Sequence, residues 1–148
     1  MRTSHGFLSI EDRRFPLIDV EYFPFPASAP VMVDYREAFD EYARLAARGV
    51  PIAFLIDMRR FDPLLIGASV RQQAAKVFHE YAGRLLPVSV GEARVIASPL
   101  TRGIVTAFDW LTSANKWPCQ QFGSLNEGEQ WLRELLRRRA SAGAAARP

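Results

Sequence analysis

Asp57-Met58-Arg59-Arg60 is where a long apolar run, Pro51-Ile52-Ala53-Phe54-Leu55-Ile56, ends in charge. Such a cluster can hold an anion, move a proton or lock a loop. Two further segments belong beside it, Ser98-Pro99-Leu100-Thr101-Arg102 and Gly123-Ser124. Each leads from a strand into a helix. Three helix N-termini, with unpaired N–H groups and positive dipole ends, are therefore expected at one sheet edge. Arg59, Arg60 and Arg102 add guanidinium donors suited to carboxylate or phosphate. The functional expectation is a shallow anion or acidic-peptide site made by Asp57, Arg59, Arg60, Ser98, Arg102 and Ser124. The architectural alternative pairs Asp57 with Arg59 or with Arg102 and uses the pair to pin the loop.

The remaining reactive residue types are sparse. Cys119 is the single cysteine, which rules out an intramolecular disulfide and leaves no thiolate set for zinc. Its neighbours Trp117, Pro118 and Phe122 favour a buried, inert thiol. His5 lies in a terminus read as frayed, and His79 in the second helix is read as outward-facing; neither has a partner at metal-binding spacing. There is no nucleophile elbow, P-loop or dinucleotide glycine pattern. No catalytic residue, metal or cofactor is expected. An enzyme working at the Asp57, Arg59, Ser98 and Arg102 edge is the third reading, since it offers no general base beyond an ordinary Asp. Trp110 and Trp117 flank a polar loop and serve either a partner surface or packing at a helix end. Tyr22-Phe23-Pro24-Phe25-Pro26 is a second aromatic candidate, for covering a sheet edge or making a dimer contact.

The elements that must position these residues follow from periodicity. Phe7-Leu8-Ser9-Ile10 and Leu17-Ile18-Asp19-Val20-Glu21-Tyr22 alternate and are joined by a polar turn, which reads as an antiparallel hairpin. Pro24, Pro26 and Pro30 then mark a linker. Asp34 with Glu37 forms a capping box, Phe39, Tyr42 and Ala46 share a face, and Gly49 ends that helix. The apolar run before Asp57 suits a central strand covered on both faces. Ser69 with Gln72 makes a second capping box, followed by a stripe of Val70, Ala74, Val77, Phe78, Tyr81 and Leu85. Ala93-Arg94-Val95-Ile96-Ala97 is a strand, Ser98-Pro99 starts a third helix, and Leu100, Ile104, Ala107, Phe108 and Leu111 form its buried face. Cys119-Gln120-Gln121-Phe122 is the last strand. Ser124 with Glu127 caps a fourth helix that turns Leu125, Trp131, Leu132, Leu135 and Leu136 inward.

The order ββαβαβαβα gives an α/β fold: a mixed five-stranded sheet, the N-terminal hairpin then β-α repeats, covered by four helices. A single domain is expected over residues 5–138, with a disordered tail over 139–148. With 148 residues, 49% hydrophobic and 24% charged, the chain is in the globular range and long enough for a core. No apolar run reaches the roughly 20 residues that span a bilayer, and the start lacks a signal-peptide core. A cytoplasmic protein without integral membrane association is expected. The net charge of +3 is concentrated late, at Arg133, Arg137, Arg138 and Arg139, where it complements a helix dipole. No recognition motif accompanies it, so nucleic-acid binding is not expected.

The chain resembles a bacterial family of SpoIIAA-like, STAS/SEC14-type domain proteins. The resemblance covers about Phe7 to Leu136. It is carried by Phe15-Pro16-Leu17, Phe54-Leu55-Ile56-Asp57-Met58-Arg59, Ser98-Pro99-Leu100-Thr101-Arg102-Gly103, Trp117-Pro118 and Trp131-Leu132. It implies a STAS-like fold and a non-enzymatic regulatory or adaptor domain, acting through a protein partner and forming a homodimer. Phosphorylated STAS regulators carry an Asp-Ser-Ser-Gly-like element after the central strand. Here that stretch is Leu64-Leu65-Ile66-Gly67-Ala68-Ser69, so Ser69 is the nearest phosphoacceptor candidate and its capping role competes. The alternative function is a small-molecule or lipid-binding module, as in the SEC14-type cousins. It requires an apolar cavity that Phe54, Phe78, Phe108 and Trp131 either line or fill.

Overall fold

The computed structural model describes residues 1–24, 31–62, 67–112 and 116–147. Among these residues there are six strands: β1 (Arg2–His5), β2 (Leu8–Glu11), β3 (Leu17–Tyr22), β4 (Ile52–Asp57), β5 (Ser89–Val95) and β6 (Cys119–Phe122). The four helices are α1 (Val31–Ala46), α2 (Ala68–Leu85), α3 (Pro99–Thr112) and α4 (Leu125–Ala145). The strands lie side by side in chain order in one mixed sheet. Pairing is antiparallel from β1 to β3 and parallel from β3 to β6.

The α/β class and the mixed sheet are as expected, but the sheet has six strands, not five. The missed strand is β1, and the order is βββαβαβαβα. Arg2-Thr3-Ser4-His5 has no apolar alternation because β1 is an edge strand, where polar residues protect an open hydrogen-bonding rim. Its register to β2 is what holds it, with Thr3 opposite Ile10 and His5 opposite Leu8.

The helix positions follow from the strand order. Each crossover from β3 onward moves one step in the same direction, and right-handed crossovers then place α1, α2 and α3 on one face. The three pack in a row, α1 on α2 and α2 on α3. Beneath them lies the larger core, with Leu8, Ile10, Ile18, Val20, Phe39, Tyr42, Ile52, Phe54, Phe78 and Leu85 all buried. After β6 no strand follows, and α4 returns across the opposite face onto β4, β5 and β6. There it buries Leu132 against Leu17, Ala53, Leu55, Ala93 and Val95. A Cβ on Gly128 would stand 3.1 Å from a Leu55 methyl and 3.2 Å from Ala93 Cβ, so this glycine lets α4 approach the sheet closely.

Local signals were right in kind and shifted in place. Helix α1 starts at Val31, so Asp34 sits inside its first turn instead of capping it. Helix α2 is capped by Gly67, and Ser69 accepts a hydrogen bond from Gln73 within the helix at 3.1 Å, so the Ser69–Gln72 box does not form. Ser124 does cap α4, accepting from the Glu127 N–H at 3.3 Å. Gly49 stands just past α1 with φ 71°, a left-handed conformation that suits glycine. Helix α4 runs to Ala145, so residues 139–145, expected to be disordered, are helical. Alanine and arginine have high helix propensity, and that extends α4 without any core beneath it. No helix among the described residues is long and apolar enough to cross a membrane.

Candidate functional site

Alternation sorts every charged residue near the strand ends onto one sheet face or the other. On β4, Ile52, Phe54 and Ile56 face α1–α3, whereas Ala53 and Leu55 face α4 and Asp57 shares their side. Helix α4 reaches β3 only at Leu17, and the polar groove left open beside it is lined by Arg2, Ser9, Glu11, Arg14, Asp19, Glu21 and Asp57. Its charges cancel locally. Arg59 holds Asp57 through Nε at 2.9 Å and Nη2 at 2.7 Å, and its own N–H donates to the same carboxylate at 3.1 Å. That hydrogen bonding holds Asp57 below the usual carboxylate range. Arg2 pairs with Glu21 at 3.0 Å, Arg14 with Asp19 and with Glu129 at 2.7 Å, and Arg60 approaches Glu21 at 3.8 Å.

The expected constellation is therefore divided. Asp57, Arg59 and Arg60 stand together at the groove, and Ser124 caps α4, whose first residue Leu125 lines it. Ser98 sits at the start of α3, where its hydroxyl is 3.4 Å from the Thr101 N–H. Arg102 is exposed and makes no ion pair with a described residue, so of the two candidate partners for Asp57 the structure selects Arg59. Ser69 is exposed in the first turn of α2, and residues 64–66 of its segment lie outside the described residues. His5 is not in a frayed end: it lies in β1 against α1, with Nε2 2.6 Å from the Glu41 carboxylate.

The opposite face holds an arrangement not expected from the sequence. Glu92 and Arg94 both point from β5 toward α1–α3 and are 6% and 4% exposed. Arg94 donates from Nε to Glu92 at 2.6 Å and from Nη1 to Asp109 of α3 at 2.6 Å. Lys116 donates to the same Asp109 oxygen at 2.6 Å, and its side chain is only 7% exposed, lying over the Phe108 ring at 5.4 Å. Trp117 donates its indole N–H to the second Glu92 oxygen at 3.0 Å. Two acids and two bases thus cancel in the interior, as burial demands. Burial opposes ionisation of Glu92, yet Arg94 and Lys116 outweigh it and hold its carboxyl below the usual range. The legible signal was an acid and a base two apart in a strand otherwise free of charge, a spacing that puts both on one face.

Beside this cluster opens a cavity of about 110 Å³. It lies at the carboxyl ends of the parallel strands, under the N-terminal halves of three helices, the usual ligand position of open α/β sheets. Buried Phe7, Ile56, Met58, Arg94 and Val105 are among the lining residues, as are half-buried Tyr22, Met32, Tyr35, Val70, Ala74, Ile104 and Phe108. Of the four aromatics expected there, only Phe108 lines it. Phe54 and Phe78 pack on Trp117 with ring centroids at 5.9 and 5.5 Å, and Trp131 packs on Phe122 across the sheet. The polar groove is larger, about 360 Å³, but its ion pairs satisfy one another, whereas the cavity presents apolar surface with few polar groups.

Chemistry at either place is restrained. Burial pushes the Cys119 thiol up to about 12, with the Glu92 charge adding to it, so at neutral pH it is a protonated thiol and a poor nucleophile. No group of three potential metal ligands occurs among the described residues. In comparisons with known proteins, no family model matched the chain, and neither the curated proteins nor the solved structures gave a match.

Proposed function

We propose that this chain is a non-enzymatic domain that binds a small, largely apolar molecule in the cavity beneath α1, α2 and α3. The observation that carries the reading is an apolar cavity at the carboxyl edge of the sheet with a buried guanidinium among its lining groups. Burial of apolar ligand surface supplies the affinity, at about 25 cal/mol per Å² removed from water. The kinship with STAS/SEC14-type domains, read from the sequence, belongs to this proposal and supplies none of its weight.

The test fills the cavity. Native mass spectrometry and chemical-shift titration with cyclopentane are run on the wild type and on Ala74→Trp, which projects an indole from α2 into the space. Saturable cyclopentane binding, or a copurified small molecule, is expected in the wild type and is lost in the variant. A wild type that carries nothing and shows no saturable shifts overturns the reading.

A regulatory or adaptor role, with a protein partner or a second copy, is the second reading. It is favoured by α3, which turns Leu100, Leu111 and Trp110 outward, Trp110 being 78% exposed. Light scattering on Trp110→Ala and wild type separates the two: a strict monomer in both removes the homodimer.

A further inference from the structure

Arg94, Tyr22 and Tyr35 bring hydrogen-bond donors to the lining of the cavity. Arg94 spends Nε on Glu92 and Nη1 on Asp109, and its other N–H groups meet no acceptor among the described residues. Tyr22 and Tyr35 line the same cavity, and neither hydroxyl has a hydrogen-bond partner among the described residues. These groups are neighbours: both phenols feel the charges of Glu92 and Arg94, and Tyr35 also feels Tyr22. Burial pushes both phenols upward, so they remain protonated at neutral pH. Donors of this kind beside an apolar cavity are groups that a ligand's acceptor can pair with.

The charge balance limits what that acceptor is. Arg94 and Lys116 are already matched by Glu92 and Asp109. An added carboxylate at Arg94 would be a third anion against these two cations, close to a Glu92 that is itself buried, which is costly. Arg71 also lines the cavity, but from the half-buried start of α2, where it has an interaction of its own. The volume of about 110 Å³ is below the roughly 150 Å³ that holds benzene, so about four or five non-hydrogen atoms fit.

We infer that the ligand of this cavity is a compact, uncharged molecule, or the compact end of a longer one, that presents a carbonyl oxygen to Tyr22, Tyr35 and Arg94. The inference rests on the proposed ligand-binding role and adds the chemical class. The apolar walls hold the hydrocarbon body. The phenols and the free guanidinium N–H groups form a donor cradle for one oxygen, and the cradle rejects an anion for want of a spare counter-charge.

Three probes of five non-hydrogen atoms decide it in chemical-shift titrations of the full chain: cyclobutanone, methylenecyclobutane and propionate. Cyclobutanone is expected to bind at least tenfold tighter than either of the others. Tyr22→Phe and Tyr35→Phe should each weaken cyclobutanone about fivefold, one neutral hydrogen bond's worth, and leave methylenecyclobutane unchanged. Unchanged hydrocarbon binding also shows that the variants are folded with the cavity intact. Equal binding of ketone and hydrocarbon overturns the carbonyl assignment while leaving the ligand-binding role standing. Tightest binding of the carboxylate overturns the charge argument. Failure of all three probes removes the ligand-binding role itself.

Discussion

Arg59, two residues past the end of β4, and Arg94 of the neighbouring β5 each hold a carboxylate two residues away, and they lie in opposite surroundings. Arg59 leaves β4 toward the open groove, and its side chain is 46% exposed over Asp57. Arg94 projects from β5 beneath three helices and is sealed with Glu92, Asp109 and Lys116. The same pairing chemistry has unequal consequences. Water screens the first pair, so forming or losing it changes little. The second pair has no water to fall back on, and removing one member strands the others in a low-dielectric interior. A charge cluster conspicuous in the sequence is thus the weaker one, and the quiet one sits at the cavity.

The sharpest way to break this comparison is Arg94→Leu. It leaves Glu92 and Asp109 with only Lys116 between them and is expected to cost about 3–5 kcal/mol in denaturant unfolding. A loss below about 1 kcal/mol would put Arg94 in the same class as Arg59. Acid exposes the same network more gradually. The folded Glu92 carboxyl lies below its ordinary value near 4.5, so the unfolded chain binds the proton more readily. Its stabilisation is complete above that ordinary value and is lost as pH falls through the folded one. Unfolding curves should therefore be flat near neutrality and weaken below about pH 4.5, and Glu92→Gln should flatten that part of the slope. The smallest effects belong to the groove and the exposed α3 start: Arg59→Ala should cost at most about 1 kcal/mol, and Arg102→Glu should stay within about 0.5 kcal/mol of wild type in the same assay. Unfolding of Arg102→Glu would restore that residue to an architectural role.

The elements were legible because their signals are local. The stripe of α1, with Phe39 and Tyr42 on one face, and the unbroken apolar run of β4 report burial through spacing alone. Ser124 was read correctly as a cap because its partner is three residues away. Asp34 and Ser69 were misplaced because a capping box can also sit one turn inside a helix, where its residues are merely tolerated. Strand β1 carried no signal, since an edge strand is held by its neighbour's hydrogen bonds and not by its own apolar pattern.

By itself the sequence determined the α/β class, the parallel half of the sheet and the absence of a thiolate set, all properties of composition and short-range order. Only the tertiary structure decided which charges meet. Asp109 and Lys116 reach Arg94 from outside its strand, and Tyr22 and Tyr35 line the same cavity from β3 and α1. No sequence spacing encodes those meetings. They follow from every crossover running the same way across the sheet, which gathers three helices on one face, above the cavity that Tyr22, Tyr35 and Arg94 line.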